Sequence, residues 1–186
     1  MVVPVPHPGD HVIGPTTGRL RLRTYRQGVA ARAGHDLVLW VSEWSGSVHV
    51  PPDGAAAISI EVEIDLRTLE VLEGTGGLKP LSAGDRADIV KAMQKPLRTD
   101  AHPLARFTSS EVRVDGDRAT IVGDLALAGE SHQLELAVHL TDGGTLSGRA
   151  QVVQTTWGIK PYTGFFGALK LRDAVDVELE VDGLVS

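Results

Sequence analysis

Hydrophobic and polar residues alternate along several stretches of the chain. Over residues 58–66 the sequence ISIEVEIDL places every aliphatic residue on one face and the serine and acidic residues on the other. A period of two is typical of a β-strand with one buried and one solvated face. The same alternation occurs at residues 19–23, 133–140 and 175–182. Because a slip of one residue would expose every buried side chain, the pattern also predicts which face lies inside.

Turn sequences separate the strands in the second half of the chain. Short glycine-containing segments between two strand patterns favour β-hairpins. Three hairpins in succession predict a meander, which is a common route to a barrel or a sandwich. Further strands are expected near 36–41, 44–50, 104–114, 118–127 and 147–157, with turns at 115–117, 128–130 and 142–144.

The apolar alternation changes parity inside the strand predicted over residues 104–114. Phe107 and Val112 are five positions apart, so they cannot share one face of a regular strand. A β-bulge near Ser109 and Ser110 would bring both inside. A twisted strand that crosses two environments is the alternative.

Residues 82–97 have helical rather than strand periodicity. Ser82 followed three positions later by Asp85 resembles a capping box, which marks a helix N-terminus. Pro96 is expected to end the helix at or before Lys95. The predicted order of elements along the chain, with strands before and after a single helix, indicates an all-β fold with a helical insertion.

We therefore expect an antiparallel β-barrel of about eight strands with one short helix. About eight strands enclose an interior just wide enough for side chains or for one small ligand. The 186 residues are expected to form a single domain, since β-barrels of this length are often undivided. Residues 1–15 are expected to be an N-terminal extension.

Composition and charge narrow the classes of function. The net charge of −6 gives no support for nucleic-acid binding, which needs a concentrated basic face. The chain contains no cysteine, which excludes disulfides and thiolate sites. Its apolar runs are far shorter than the ~20 residues of a membrane span, so no stable membrane insertion is expected. The N-terminal sequence MVVPVPHPGD lacks the features of a secretory signal, and we expect a cytoplasmic protein.

Candidate catalytic and metal-binding residues are few. His7 and His11 have helical spacing but lie among prolines, where no helix would align them. His35 and His102 are in turn-like contexts, where capping a turn is the expected role. No nucleophile elbow or metalloprotease motif is present. We expect no catalytic residue, metal or cofactor; a small metal-dependent enzyme using His35 and His102 is the weaker alternative.

The segment GTGGLK at residues 74–79 superficially resembles a phosphate-binding loop. It matches neither the P-loop spacing nor the dinucleotide-binding spacing of glycines. We expect residues 74–77 to form a flexible loop instead.

Basic and aromatic residues suggest where the mouth of the predicted barrel lies. Lys91, Lys95, Arg98 and Arg106 cluster along the predicted helix exit and the following strand, where a positive rim would hold an anionic head group at the mouth of the barrel. A solvated helix face is the alternative. Aromatic residues are scarce, yet four fall within ten residues among glycines and a proline, which predicts a lid, a plug or a partner-binding patch. These aromatic residues are Trp157, Tyr162, Phe165 and Phe166.

Several segments resemble a known family. The segment LRTDAHPLARFTSSE at 97–111 is similar to the family's helix exit, residue-proline step and aromatic-Thr-Ser strand. IVGDLALAGE at 121–130 is similar to the hairpin that follows. Over residues 16–183 the chain resembles the YceI-like family of bacterial lipocalin-like proteins. Three shorter motifs also occur in the same order along the chain as in this family, namely Gly34-His35-Asp36, Thr68-Leu69 and Trp157-Gly158.

This resemblance implies a lipocalin-like antiparallel barrel with a helical insertion around a long apolar pocket. It also implies binding of polyisoprenoid chains, such as isoprenoid quinones or their diphosphate precursors. We thus expect a non-enzymatic carrier of a long apolar, isoprenoid-like molecule. A side-chain-filled barrel that serves as a protein interaction module is the alternative. A homodimer is expected, because two-fold dimers are common.

The expected ligand-binding residues form three groups. The first is the inward set of the alternating strands, the second belongs to the aromatic segment, and the third lies near a mouth. They are Leu20, Leu22, Leu37, Leu39, Ile60, Val62, Ile64, Phe107, Leu125, Leu127, Leu134, Leu136 and Val138; then Trp157 and Phe165; then Arg98, Arg106 and His35.

Overall fold

Most of the chain is β-structure, as the alternating pattern predicts. The computed structural model describes residues 6–52, 57–141 and 144–184. Within these residues there are fourteen strands and one α-helix. In chain order they are β1 (Gly9–Ile13), β2 (Gly18–Thr24), β3 (Arg26–Gln27), β4 (His35–Val41), β5 (Trp44–Val50), β6 (Ser59–Asp65), β7 (Leu69–Gly76), α1 (Ala83–Gln94), β8 (Leu104–Asp115), β9 (Arg118–Leu127), β10 (Glu130–Leu140), β11 (Leu146–Val153), β12 (Thr163–Gly164), β13 (Leu169–Leu171) and β14 (Ala174–Val181).

Eleven of these strands form one antiparallel sheet. Its order is β1-β5-β6-β8-β9-β10-β11-β14-β2-β4-β7, and β12-β13-β3 form a small second sheet. Strands β8 to β11 are the predicted meander. The expected all-β, barrel-like fold with one helical insertion is confirmed. The described residues form more strands than the eight or so expected. One long hairpin is split into four strands by a bend, and several strands are too short to show an alternation in the sequence.

A bend in that long hairpin makes the sheet curl into a half-barrel. Strand β4 pairs with β7, and after the bend the same two chain segments continue as β5 paired with β6. Hydrogen bonds continue across the bend: the Ser42 N–H donates to the Thr68 carbonyl at 3.4 Å, and the Asp65 N–H donates to the Glu43 carbonyl at 3.0 Å. One half of the hairpin therefore forms the β7 edge of the sheet, while the other half joins β8 near the opposite edge.

Helix α1 begins and ends where the sequence predicts. The Ser82 hydroxyl accepts from the Asp85 N–H at 3.1 Å, and the Asp85 carboxylate accepts from the Ser82 N–H at 2.8 Å, which completes the capping box. The Ser82 hydroxyl also donates to the Asp85 carboxylate at 2.7 Å, and this bond, together with the one from the Ser82 N–H, lowers the pKa of the Asp85 carboxyl. The C-cap is Lys95, directly before Pro96.

The helix covers the outer edge of β7. The Arg86 guanidinium donates from Nη1 to the carbonyls of Val71 and Leu72, at 2.8 and 2.7 Å. An uncovered edge strand leaves backbone groups available to another chain. Here a side chain from α1 satisfies two of them and fixes the helix over the open side of the half-barrel.

The predicted bulge is present in β8. The pairing with β9 shifts between Ser109 and Glu111, and the Ser110 hydroxyl donates to a carbonyl of β9 at 3.2 Å. As a result both Phe107 and Val112 are buried. The extra residue thus corrects the parity change seen in the sequence.

The expectation of a flexible loop at residues 74–77 is wrong. Residues 74–76 are the end of β7 and pair with β4. A Cβ atom on Gly74 would overlap Leu81, and one on Gly77 would overlap the His35 ring. Glycine in a strand often marks such a close approach, so these residues serve packing rather than mobility.

Residues 9–13, inside the expected N-terminal extension, form β1 and pair with β5. The turns at 115–117 and 128–130 join the predicted strands, whereas Asp142 and Gly143 of the third turn lie outside the described residues. In the described part of the chain, no helix has the length and hydrophobicity to span a bilayer.

We predict that Ser82→Ala destabilises the protein through its helix cap. Loss of a serine N-cap lowers the free energy of unfolding by about 1 kcal/mol. Urea denaturation should show a lower midpoint with an unchanged slope. Ser131→Ala is the matched control, because Ser131 is exposed on β10. Equal midpoints for the two variants would contradict a stabilising capping box.

Candidate functional site

The half-barrel encloses an elongated apolar cavity of about 660 Å³. This volume is within the range of roughly 300–1,000 Å³ that ligand pockets occupy. Along β2 and the residues after it, the cavity extends from Leu20 to Arg26, which is about 20 Å at ~3.3 Å per residue. The interior is therefore open, in contrast to the side-chain-filled barrel considered as an alternative.

Most of the residues predicted to face the interior line this cavity. Leu22, Leu134 and Leu136 are only half-buried, because their inner faces border open space. The lining members of the predicted set are Leu20, Leu22, Leu37, Leu39, Val62, Ile64, Phe107, Leu125, Leu127, Leu134 and Leu136, together with Phe165 and His35.

Three predicted apolar residues do not line the cavity. Ile60 and Val138 face inward but pack against the hydrophobic core instead. Trp157 is 2% exposed and braces the wall from behind. Its indole N–H donates to the Leu125 carbonyl at 2.8 Å, and its ring meets that of His132 edge to face at 5.5 Å.

The two arginines predicted near the mouth also lie away from the cavity wall. Arg106 is on the outer face, with its Nε 2.7 Å from the Glu63 carboxylate. Arg98 donates from Nη1 to the Ala128 carbonyl at 3.2 Å, across the turn between β9 and β10. Both side chains thus form local contacts in this structure.

Other elements complete the wall. Helix α1 and the segment after it contribute apolar side chains to the cavity wall. The sequence predicted the helix but not that its apolar side would line a cavity. Strand β14 contributes its inward set, whose alternation was visible in the sequence. These additional lining residues are Ile89, Met93 and Leu97 from the helical side, Val175, Val177 and Leu179 from β14, and Ile159, Leu169 and Leu171 from the segment between β11 and β14.

Polar groups are confined to a small part of the wall. The inward positions after Leu22 are Thr24 and Arg26, so the lining changes from apolar to polar to charged along one line. Thr24 is 7% exposed, and its hydroxyl has no hydrogen-bond partner among the described residues. The Arg26 Nε is 3.8 Å from the Asp36 carboxylate. His35, beside them, donates from Nε2 to a backbone carbonyl at 2.8 Å.

Five of the described lining residues are exposed, and they mark the mouth of the cavity. Asp88 and Ala92 are on α1, and Lys160, Tyr162 and Phe165 follow β11. The mouth therefore lies between α1 and the aromatic segment. Tyr162 and Phe165 of the aromatic segment border this opening, whereas Trp157 lies outside the cavity lining.

The histidines do not assemble into a common site. His35 contacts the Lys79 carbonyl, whereas the ring of His102 lies against Gly129. No group of three His, Asp or Glu side chains suited to a metal ion occurs among residues 6–52, 57–141 and 144–184.

Comparison with known proteins agrees with this architecture. A family model described as the YceI-like domain matches residues 26–182. The crystal structure of Burkholderia cenocepacia BcnA is similar with a TM-score of 0.65 at 17% identity, over 88% of this chain and 94% of that one. The Campylobacter jejuni YCEI protein gives a TM-score of 0.55 at 14% identity, over 78% and 82%. At these identities the likeness concerns the fold. No curated protein sequence matches the chain.

We predict that Trp157→Phe destabilises the cavity wall while Trp40→Phe does not. Removing the buried indole donor leaves the Leu125 carbonyl without one partner, which costs about 1–3 kcal/mol. Trp40 is 37% exposed and donates to an exposed carboxylate at 3.2 Å, so its change should cost less than about 0.5 kcal/mol. Chemical denaturation of both variants measures the difference, and equal losses would contradict a bracing role for Trp157.

Proposed function

The chain belongs to the YceI-like family, and we propose that it is a carrier that holds a long apolar, polyisoprenoid-like molecule inside its half-barrel. The observation that supports this most is the open, elongated cavity of about 660 Å³ with an aliphatic wall. Burial of apolar surface contributes ~25 cal/mol per Å². Each 100 Å² of ligand surface removed from water would thus contribute about 2.5 kcal/mol before the costs of association.

The shape of the cavity favours a chain over a compact ligand. It follows β2 for about 20 Å and is walled by Leu, Ile and Val from strands and helix alike. Aliphatic walls make many dispersion contacts with a branched hydrocarbon and offer it no hydrogen bonds. A polyisoprenoid chain has this chemistry, and the resemblance to the YceI-like family favours it among apolar chains.

The polarity of the lining gives the bound chain a direction. The deep end is formed by Leu20, Val41 and Leu179, whereas Arg26 and Lys160 lie toward the mouth. An amphiphilic ligand would therefore bind tail first, with its polar or anionic end near these two cations. Arg26 and Lys160 take the role that the sequence suggested for Arg98 and Arg106.

Binding rather than catalysis is the function that these residues support. Among the described residues of the wall, Thr24 has a buried side-chain hydroxyl without a hydrogen-bond partner, which a ligand could use. Thr24 and His35 are placed to hydrogen-bond a polar group of the ligand where its chain leaves the cavity. A cytoplasmic location and a homodimer remain part of this proposal as predictions.

We predict that Leu136→Trp obstructs the cavity and abolishes ligand binding. The larger side chain projects from β10 into the open interior, and occupancy should fall about tenfold or more. Native mass spectrometry of gently purified protein, followed by organic extraction and lipid mass analysis, measures the occupancy. Glu135→Trp is the matched control, because Glu135 is the next residue on the exposed face of the same strand.

The expected result is a stoichiometric isoprenoid-like species in the wild type and in Glu135→Trp, and about a tenth of that amount or less in Leu136→Trp. A bare wild-type protein whose extract equals that of an unrelated control protein would overturn the carrier function. Equal occupancy in the two Trp variants would place the ligand outside the cavity.

A further inference from the structure

The mouth of the cavity carries an unusual amount of exposed apolar surface. Among the described large apolar residues, Phe166, Val29 and Leu78 are the three most exposed, at 113%, 96% and 85%. Phe165, at the mouth itself, is 64% exposed. A contiguous exposed apolar patch on a soluble domain marks an interaction surface.

These side chains come from three segments that meet around the mouth. The Ala30 N–H, next to Val29, donates to the Ala168 carbonyl at 3.0 Å, just after the two phenylalanines. Leu78 precedes Lys79, whose carbonyl accepts from cavity-lining His35. We call residues 26–36, 77–79 and 158–172 the rim.

The backbone holds the two phenylalanines in a conformation that their side chains disfavour. Phe165 has φ 49° and Phe166 has φ 56°, both in the left-handed region. Aromatic residues rarely adopt this region, and such strain is concentrated at functional sites. Here the strained turn places an aromatic ring in water instead of burying it, which folding alone does not explain.

The rim is positively charged although the chain as a whole is negative. It contains six Lys and Arg residues against one Asp, a net charge of +5, whereas the whole chain carries −6. Helix α1 adds two basic and two acidic residues and leaves this balance unchanged. Arg32, Lys160 and Lys170 are exposed and form no ion pair within the described chain. The basic members of the rim are Arg26, Arg32, Lys79, Lys160, Lys170 and Arg172.

We propose that the rim docks on the surface of an anionic lipid bilayer, so that the cavity opens directly onto the membrane. Exposed aromatic and aliphatic side chains enter the interfacial region of a bilayer, and lysine and arginine bind its anionic head groups. An apolar chain then passes between membrane and cavity without crossing water. This inference extends the proposed carrier function, on which its biological purpose rests.

Charge argues against a second copy of this chain as the occupant of the rim. Two rims placed face to face would bring two surfaces of +5 together, and like charges in contact suppress association. An anionic bilayer offers both the opposite charge and an apolar layer beneath it. It therefore complements both properties of the rim.

The test is co-sedimentation of the full chain with vesicles. One set consists of phosphatidylcholine alone, and the other of equal parts of phosphatidylcholine and phosphatidylglycerol. We expect binding to the anionic set, at least about tenfold weaker binding to the neutral set, and release by added salt. Phe166→Asp should weaken binding about tenfold or more, because the aromatic side chain that would enter the bilayer on docking is lost.

Two matched controls separate the rim from the rest of the surface. Val12→Asp places the same charge on another exposed apolar residue, 79% exposed on the edge strand β1, and should leave binding unchanged. The double variant Lys160→Glu with Lys170→Glu should lose binding, whereas Arg118→Glu with Arg149→Glu, an equal charge change outside the rim, should retain most of it.

The outcomes also separate this inference from the carrier function. Leu136→Trp should still bind vesicles, since its change is inside the cavity. Vesicle binding without any cavity ligand would uphold the docking surface and refute the carrier. Wild-type protein that ignores anionic vesicles, or equal losses in Phe166→Asp and Val12→Asp, would overturn the docking surface. Self-association that Phe166→Asp abolishes, without vesicle binding, would assign the rim to a second copy.

Discussion

The hydrogen bonding across the bend at residues 42–43 and 65–68 is the constraint on which the rest of the structure depends. Buried backbone groups must be paired, and the long hairpin keeps its pairing while it changes direction. Its two halves therefore become parts of opposite margins of one sheet, and the sheet must curl. Because the long strands of this sheet each have one mainly aliphatic face, curling places these faces around a shared interior that side chains do not fill.

The bend leaves one side of the half-barrel for α1 to cover, and this helix is held in an unusual way. None of its residues is fully buried, although Ile89 and Met93 border the cavity. It is attached by the Arg86 hydrogen bonds to β7 and by partly buried apolar side chains, such as Ile89 and Met93, that pack against the core. A helix whose apolar side faces open space gains further packing when a ligand fills that space. Ligand binding and helix docking should therefore stabilise each other.

Features fixed by neighbouring residues could be predicted from the sequence, whereas features that depend on the bend could not. The alternation at 58–66, the capping box at Ser82 and the bulge near Ser110 each follow from local rules of pleat and hydrogen bonding. The inward set was identified for the same reason. The glycines at 74–77 were misread, because composition does not show that Leu81 and His35 press against their backbone.

The mouth was the least predictable part of the site, and its chemistry explains why. The sequence pointed to Arg98 and Arg106, which are close in sequence to the helix exit, but the cations at the mouth come from segments more than one hundred residues apart, such as Arg26 and Lys160. A global charge of −6 concealed them. Apolar burial gives affinity with little direction. The polar end of the cavity and the charge around it thus decide which way a bound chain points and which surface the mouth faces.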